Sequence, residues 1–224
     1  METTYLLART ILKPWLRTWF RWGIEGSENV PAKGPGLIVF NHISFLDPLA
    51  AAYIVDNARR VPRFLAKQEL FEDKRIAWIL RGARQIPVHR GSKDAPMALD
   101  AAIAELERGE LIVIFPEGTI TTDVDLNPME GKTGLARLAL EANVPVIPCA
   151  LWGTSNIWPK GYAKNWRPRQ DICARVGEPL TFSGPSDRDN LRRVTAEVMD
   201  AIGVLVASLR PAVPDQRRPK RRAA

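Results

Sequence analysis

The sequence is poor in the residues on which much enzyme chemistry depends. Its 224 residues include two cysteines and two histidines, with no Cys-x-x-Cys pair and no Cys/His spacing of a zinc site. Cys149 and Cys173 lie in apolar segments, and we expect both to be buried, reduced thiols. The chain also contains no Gly-x-Ser-x-Gly elbow, Walker loop, Rossmann glycine fingerprint or His-Glu-x-x-His motif. These absences argue against a disulfide scaffold, a serine hydrolase, a nucleotide-binding enzyme and a zinc protease.

A long apolar run is also missing. A membrane-spanning helix needs roughly 20 consecutive, mostly apolar residues, and neither such a run nor the residue order of a secretory signal peptide occurs. Residues 1–22 instead combine leucines and tryptophans with basic residues at every fourth position: Arg9, Lys13, Arg17 and Arg21. This pattern predicts an N-terminal amphipathic helix that lies in a membrane interface. The alternative is a helix packed on the protein core with its arginines in water.

Positive charge predominates, with a formal net charge of +7. The excess indicates an anionic partner, which can be membrane lipid, nucleic acid or a phosphorylated substrate. Residues 211–224 hold part of the charge and have few apolar side chains, so we expect a basic, disordered tail. That tail is either a solubilising segment or a contact for anionic lipid.

Short β-prone runs alternate with helical patterns, which is typical of an α/β domain. The runs that predict strands are 37–40, 63–66, 85–88, 111–115, 146–151 and 171–176. The segments that predict helices are 48–57, 74–80, 94–107, 133–141 and 187–209. Prolines within 85–88 and 146–151 favour edge or bulged strands for those two runs. We predict a single α/β domain over residues 23–210, with a mixed or mostly parallel central sheet flanked by helices.

Residues that can carry chemistry follow the first strongly apolar run, in the order Asn41-His42-Ile43-Ser44-Phe45-Leu46-Asp47. Ligand-binding loops of α/β proteins gather at the carboxyl ends of strands. There the His42 imidazole can accept a proton near neutral pH while Asp47 holds its other nitrogen. Five positions along a regular helix turn through about 500°. The contact therefore requires His42 in the loop and Asp47 in the first helical turn.

The same residues also fit a purely structural interpretation. Ser44 and Asp47 form a Ser-x-x-Asp capping box ahead of an apolar helix, and His42 would then only bond a backbone carbonyl. The two interpretations are compatible, because a cap can also present a catalytic pair.

Two further predicted strands end in polar residues. The stretch Phe115-Pro116-Glu117-Gly118-Thr119 places a carboxylate and a glycine directly after an apolar run, and residues 85–90 end in Arg90. Arg90 can bind a phosphate through two parallel hydrogen bonds. A solvated turn and a surface arginine are the alternatives. Polar clusters at several strand ends favour a shared cleft.

Taken in order, these motifs resemble the sequence blocks of the glycerolipid acyltransferase family, which includes glycerophosphate and lysophosphatidate acyltransferases. Residues 41–47 match the first block, Asn-His-x-Ser-x-x-Asp. The later blocks correspond, in family order, to residues 67–70 with 86–90, 115–119, 131–134 and 144–148. The resemblance implies the fold of a glycerol-3-phosphate acyltransferase-like domain.

The resemblance also implies a role for each matching residue. His42 would be the general base that takes the proton of the acceptor hydroxyl, and Asp47 would orient it. The acceptor's phosphoglycerol site would be formed by Arg90, Glu117, Gly118 and Thr119. The fourth block, residues 144–148, would border the acyl chain.

One position departs from the family pattern. Members often have an arginine directly after the Glu-Gly-Thr of the third block, whereas this chain has Ile120. The departure removes one phosphate contact, for which Lys67 and Lys132 are the candidate replacements.

The implied activity is transfer of a fatty acyl chain from acyl-CoA or acyl-ACP to the free hydroxyl of lysophosphatidic acid, which gives phosphatidic acid. We expect no metal and no other cofactor. The expected partners are the lysophospholipid acceptor, the acyl thioester donor with its acyl carrier protein, and an anionic membrane surface, without nucleic acid. The expected location is peripheral, on the cytoplasmic face of the cell membrane.

Two alternatives remain open at this point. Within the class, the acceptor can be another lysophospholipid or a glycosylated phosphoinositide. Outside it, a basic peripheral membrane protein without activity would share the charge pattern, although it leaves the ordered blocks unexplained.

Overall fold

The computed structural model describes residues 3–88 and 95–217, and it confirms the predicted α/β fold. Its helices are α1 (Thr3–Trp19), α2 (Asp47–Asn57), α3 (Ala77–Gly82), α4 (Ala95–Glu107), α5 (Gly134–Glu141) and α6 (Arg188–Leu209). Its strands are β1 (Phe20–Glu25), β2 (Gly36–Phe40), β3 (Pro62–Lys67), β4 (Ile86–Val88), β5 (Leu111–Ile114), β6 (Val146–Trp152) and β7 (Gln170–Val176).

The strands form one sheet in the order β1-β7-β6-β2-β5-β3-β4. Every neighbouring pair is parallel except β6 and β7, so the sheet is mixed but mostly parallel. Strands β2 and β5 are buried along their whole length, which explains their unbroken apolar sequences. Because β2, β3, β5 and β6 run in the same direction, their carboxyl ends meet at one edge of the sheet.

Helices cover both faces of this sheet. One face packs against α4, α5 and α6, and the other packs against α2 and, beside β1, against α1. Helix α6 begins where Asp187 accepts a 2.9 Å hydrogen bond from the backbone of Asn190, as expected of a helix cap. Its buried stripe has helical spacing: Leu191, Val194, Val198, Ile202, Val206 and Leu209. Each such aliphatic side chain contributes about 1.5–3 kcal/mol through burial.

The N-terminal helix is shorter than its predicted extent of residues 1–22. Helix α1 ends at Trp19, and the edge strand β1 follows directly. Basic residues at every fourth position suggested the longer helix, but exposed and buried side chains alternate from Phe20 onward, which is the period of a strand. The last basic residue of that series, Arg21, lies opposite Asp171 of β7 and donates two 2.7 Å hydrogen bonds to its carboxylate.

Two other members of the basic series point into the protein. Arg9 and Lys13 bind the carboxylate of Asp56 at the end of α2, and Tyr5 donates to it at 2.7 Å. Burial disfavours the ionised form of Asp56, but the hydrogen bonds from these three donors outweigh that cost and lower its pKa. Charge on α1 therefore fixes the helix to the domain.

The outward side of α1 is apolar instead. Leu7 is 52% exposed and Ile11 is 65% exposed. Within residues 3–88 and 95–217, no helix is both long and apolar enough to cross a membrane.

Pro148 lies in a central strand, so of the two alternatives expected for residues 146–151, an edge strand or a bulged strand, the edge strand is wrong. Strand β6 pairs with β2 on one side and with β7 on the other. The ladder toward β7 shifts by one residue near the proline, because Cys149 pairs with Val176 whereas Val146 bridges to Leu180. The missing N–H of the proline thus falls in an irregular part of the ladder. The other proline-containing strand, β4, lies at the sheet edge as predicted.

Residues 211–217, the first part of the segment expected to be a disordered tail, contact the domain. Val213 is 4% exposed, and its carbonyl accepts a 2.7 Å hydrogen bond from the indole of Trp152. Asn156 also holds this segment, because its amide donates to the carbonyl of Pro214 at 2.9 Å and accepts from the N–H of Gln216 at 2.7 Å. Residues 218–224 lie outside the described part of the chain.

The two cysteines are free, with Cys149 buried and Cys173 half-buried.

Candidate active site

The loop after β2 is fixed to β6 by the side chain of Asn41. This fully buried amide donates to the carbonyl of Leu151 at 3.0 Å and accepts from its N–H at 2.7 Å. The two bonds continue the contact between β2 and β6 past the last paired residue, Phe40, and so fix the start of the loop. His42 follows in the loop, and Asp47 is the first residue of α2, as the spacing required.

His42 and Asp47 are in contact. Nδ1 of the imidazole lies 2.9 Å from Oδ2 of the carboxylate. An acceptor at Nδ1 places the ring proton there, so we assign the free lone pair to Nε2. The side chain of His42 is 15% exposed, and its ring centroid lies 4.6 Å from that of Phe115. An imidazole held in one orientation and one tautomer is suited to act as a general base.

The carboxylate of Asp47 is fully buried and bonded on both oxygens. Oδ2 accepts from the backbone N–H groups of Ile43 at 2.6 Å and Ser44 at 2.7 Å, besides its contact with His42. Oδ1 accepts a 2.6 Å hydrogen bond from the hydroxyl of Thr154. The bond from the Ser44 N–H is one half of the expected capping box, but the Ser44 hydroxyl accepts from the N–H of Leu46 and not from that of Asp47. The N-cap residue of α2, Leu46, has no side-chain cap bond, so the backbone bonds of Asp47 fix the turn before the helix. This network satisfies a charge that would be costly to bury without partners.

Thr154 was missed by the sequence analysis. It follows β6, whose carboxyl end lies beside that of β2. The preceding Gly153 turns the chain with φ of +89°, and a Cβ there would come within 2.3 Å of a backbone oxygen of Asp171. A polar residue just past an apolar strand was the signal that pointed to His42, and the same signal would have found Thr154.

Glu117 binds the backbone of two loops and does not line the cavity described below. It is 4% exposed, and its two oxygens accept from the N–H of His42 at 2.8 Å and of Met129 at 3.0 Å. Burial raises the pKa of this carboxyl, and the two backbone N–H groups offset the rise only in part. The structure therefore places Glu117 behind His42 and outside the cavity wall.

Gly118, Thr119 and Lys132 lie together at this edge. Gly118 has φ of +70°, which favours glycine, and a Cβ there would lie 2.9 Å from Nζ of Lys132. The backbone of Lys132 donates to the carbonyl of Pro116 at 2.9 Å, which holds its side chain against the turn. Thr119 is exposed and lies in the same cavity wall as His42.

The two remaining predicted residues have different outcomes. Lys67 is exposed at the end of β3 and lines the same cavity as His42. Arg90 lies outside the described residues, so its phosphate contact stays a prediction.

A cavity of about 620 Å³ opens beside His42 and extends between α1, α2, β3 and α3. Apolar side chains form most of its wall, and α2 contributes one side: Pro48, Leu49, Ala52, Tyr53 and Asp56. From Asp47 to Asp56 the helix rises about 14 Å. The volume, the apolar lining and this depth suit a long hydrocarbon chain.

The fourth sequence block does not border this cavity, contrary to what the resemblance implied. Val146 pairs with Leu37 near the start of β2, whereas His42 follows its end. The block begins toward the opposite edge of the sheet, and Val146 and Ile147 are buried in the core.

The fold and the strand-end His–Asp pair agree with the family that the sequence blocks resemble. Residues 21–152, more than half of the chain, match the family profile described as Acyltransferase. The chain belongs to the acyltransferase family.

Individual relatives narrow the comparison. The chloroplastic 1-acyl-sn-glycerol-3-phosphate acyltransferase BAT2 of Brassica napus is 30% identical over 187 residues, which are 82% of this chain and 52% of that protein. The 1-acyl-sn-glycerol-3-phosphate acyltransferase of Bacillus subtilis is 30% identical over 161 residues, 70% of this chain and 72% of that protein. The chain thus spans about half the length of the Brassica protein.

A solved structure shows the same fold. The crystal structure of the 1-acyl-sn-glycerophosphate acyltransferase PlsC from Thermotoga maritima matches with a TM-score of 0.66 and 27% identity. The match covers 90% of this chain and 78% of that one.

Proposed function

We propose that the protein transfers a fatty acyl chain from an acyl thioester to the free hydroxyl of lysophosphatidic acid, which gives phosphatidic acid and a free thiol. One observation carries the proposal: the 2.9 Å contact between His42 and Asp47 lies beside an apolar cavity of about 620 Å³. The names of the Brassica, Bacillus and Thermotoga proteins support lysophosphatidic acid as the acceptor.

The reaction needs one base and two substrates. Nε2 of His42 takes the proton of the acceptor hydroxyl while the hydroxyl oxygen attacks the thioester carbonyl carbon. The carbon–sulfur bond breaks, and the leaving thiolate receives the proton from the imidazolium. Asp47 keeps the proton on Nδ1 and stabilises the transient positive charge of the ring.

Cations around His42 would bind the phosphate of the acceptor. Lys67 and Thr119 line the cavity, and Lys132 lies against the Gly118 turn. Arg90 is a further predicted contact of the same kind. Ammonium and guanidinium groups both form charge-assisted hydrogen bonds with phosphate oxygens.

Glu117 acts on the reaction through the backbone of His42, so Glu117→Gln is expected to lower kcat by about tenfold with little change in either KM. The glutamine NH2 cannot accept from a backbone N–H, so one of the two bonds is lost. A hydrogen bond to a charged group contributes about 1.5–3 kcal/mol, and the lower figure corresponds to about tenfold in rate. Steady-state kinetics with each substrate varied in turn would measure the effect.

Glu130→Gln is the matched control, because Glu130 is an exposed glutamate directly after Met129. A selective rise in the KM of the acceptor for Glu117→Gln would instead assign Glu117 to the headgroup. Equal kcat for the two variants would remove its positioning role.

We propose a peripheral position on the cytoplasmic face of the cell membrane, with the outward side of α1 toward the lipid. Leu7 and Ile11 are exposed there, and the exposed Phe45 and Leu70 belong to the wall of the cavity. Exposed apolar side chains of this kind bury themselves in a bilayer interface. The cavity would then receive its lipid substrates from the membrane.

Replacing both Leu7 and Ile11 by serine is expected to weaken binding to anionic phospholipid vesicles by about ten- to a hundredfold, because two aliphatic side chains lose their burial in lipid. Vesicle co-sedimentation over a lipid titration would measure this. Val204→Ser is the control, because Val204 is 70% exposed on α6. If the double variant binds like the control, the outward side of α1 is not the membrane contact.

An acyl-transfer assay across several lysophospholipids, with acyl-CoA and acyl-ACP as alternative donors, tests the proposed function. We expect the highest kcat/KM with lysophosphatidic acid. A higher kcat/KM with another lysophospholipid or with a glycosylated phosphoinositide would identify that lipid as the acceptor in place of lysophosphatidic acid. Vesicle binding without any acyl transfer would indicate instead a membrane-binding protein that lacks this activity.

A further inference from the structure

The segment after β6 is bonded to the turn that contains the His–Asp pair. The carbonyl of Trp158 accepts hydrogen bonds from the Ser44 hydroxyl at 2.9 Å and from the Phe45 N–H at 3.1 Å. Ser44 and Phe45 both lie between His42 and Asp47 in the sequence. Any side chain presented near Trp158 is therefore placed in a fixed relation to the reacting imidazole.

The loop beyond Trp158 is closed and braced. The N–H of Asn165 donates to the carbonyl of Ile157 at 2.8 Å, which joins the two ends of the loop. The ring centroids of Trp158 and Trp166 lie 5.4 Å apart, and the Lys164 ammonium lies 4.6 Å from the centre of the Trp158 ring. A short closed loop with these contacts loses little entropy when a ligand binds.

Lys160 lies two residues after Trp158 in this loop. Its side chain is exposed and lines the same cavity as His42, Thr119 and Lys67. Within residues 3–88 and 95–217, no hydrogen bond or ion pair occupies its ammonium group.

We propose that Lys160 binds the phosphate of the acceptor while its hydroxyl is presented to His42. The inference rests on the proposed function, since it needs an acceptor that carries a phosphate. A lysine ammonium is a compact charge that forms charge-assisted hydrogen bonds with phosphate oxygens. The loop that carries Lys160 is bonded to the Ser44–Phe45 turn through the carbonyl of Trp158. The position of a phosphate bound by Lys160 would therefore be linked to the position of the base, His42.

Lys160→Ala is expected to raise the KM for lysophosphatidic acid by about ten- to a hundredfold, the loss expected for one charge-assisted hydrogen bond. The KM for the acyl thioester should stay unchanged, and Lys160→Arg should restore most of the acceptor affinity. Steady-state kinetics in mixed micelles, with each substrate varied in turn, would give these values. Lys160 is exposed, so the fold should tolerate both substitutions.

Lys164→Ala is the matched control. It removes the same charge from the same loop, but Lys164 lies over the Trp158 ring and does not line the cavity. General attraction of anionic lipid by the loop would affect both variants alike, whereas a phosphate contact affects only Lys160→Ala. A second readout is the acceptor 1-monoacylglycerol, which lacks phosphate and should be used equally by the wild type and Lys160→Ala.

Each result has a distinct meaning. Equal acceptor KM values for the Lys160→Ala and Lys164→Ala variants would overturn the assignment of Lys160 while leaving the proposed function in place. A KM rise confined to acyl-CoA would place Lys160 on the phosphates of the donor and would equally overturn the assignment. A wild-type protein that transfers no acyl chain to any lysophospholipid would instead overturn the proposed function, and this inference with it.

Discussion

His42→Ala is expected to reduce acyl transfer by about 10²- to 10⁴-fold, the usual contribution of a general base. Nδ1 of His42 is bonded to a buried carboxylate, and its ring is part of the cavity wall. No other histidine lies within the described residues, so nothing in that part of the chain can replace the imidazole. The rate of phosphatidic acid formation, with circular dichroism to check folding, measures the effect.

His89→Ala is the control for this substitution, because His89 is the only other histidine in the sequence. The control should retain most of the wild-type rate. A folded His42→Ala protein with near wild-type turnover would contradict the proposed mechanism, since the hydroxyl would then lose its proton without this base.

Asp47→Asn is expected to cost about as much, roughly 10²- to 10⁴-fold in kcat. An asparagine gives no negative charge to stabilise the imidazolium, although its oxygen can keep the place of Oδ2 while its NH2 faces the Thr154 hydroxyl. An asparagine oxygen can still accept from the N–H groups of Ile43 and Ser44, so a role in fixing the turn alone predicts only a small effect on activity. Kinetics together with urea unfolding separate the two roles.

Thr154→Val helps to interpret the Asp47 variant. It removes only the hydroxyl that donates to Oδ1 of Asp47, while the carboxylate keeps its contact with His42. We expect a smaller loss of activity than for Asp47→Asn. Full activity of Asp47→Asn would leave Asp47 with a structural role alone.

The sheet could be predicted because its central strands are short apolar runs followed by polar residues. The boundary between α1 and β1 could not, since two periodicities overlap there. Arg9, Lys13, Arg17 and Arg21 continue a helical spacing, yet the residues from Phe20 onward alternate as a strand. Arg21 belongs to β1 and binds Asp171 of the neighbouring strand. Because Asp171 lies far away in the sequence, this contact could not be predicted from the spacing of the basic residues.

The orientation of α1 was equally hidden from the sequence. Spacing identifies a basic side and an apolar side, and it leaves open which one contacts the protein. Arg9 and Lys13 bind Asp56 on α2, whereas Arg17 is exposed, as are Leu7 and Ile11. The sequence alone does not identify the residue with which a charged side chain pairs.

Within the site, the spacing of His42 and Asp47 predicted a contact at a junction between loop and helix, and the structure confirms that contact. The location of Glu117 could not be predicted, because its partners are backbone N–H groups of other loops. Thr154 and Lys160 follow β6, so they carry the same strand-end signal as His42. Polar residues that follow the end of β6 therefore lie at the same edge of the sheet as those that follow β2 and β5.

Direct acyl transfer between two bound substrates is the central claim, and a rapid-quench experiment tests it most directly. The protein is mixed with radiolabelled acyl thioester, first alone and then with lysophosphatidic acid, and thiol, phosphatidic acid and protein mass are followed together. Direct transfer predicts no acylated protein and no thiol release above background until the acceptor is added, followed by equal amounts of thiol and phosphatidic acid. An acyl adduct on the protein, or a thiol burst before the acceptor is added, would contradict it.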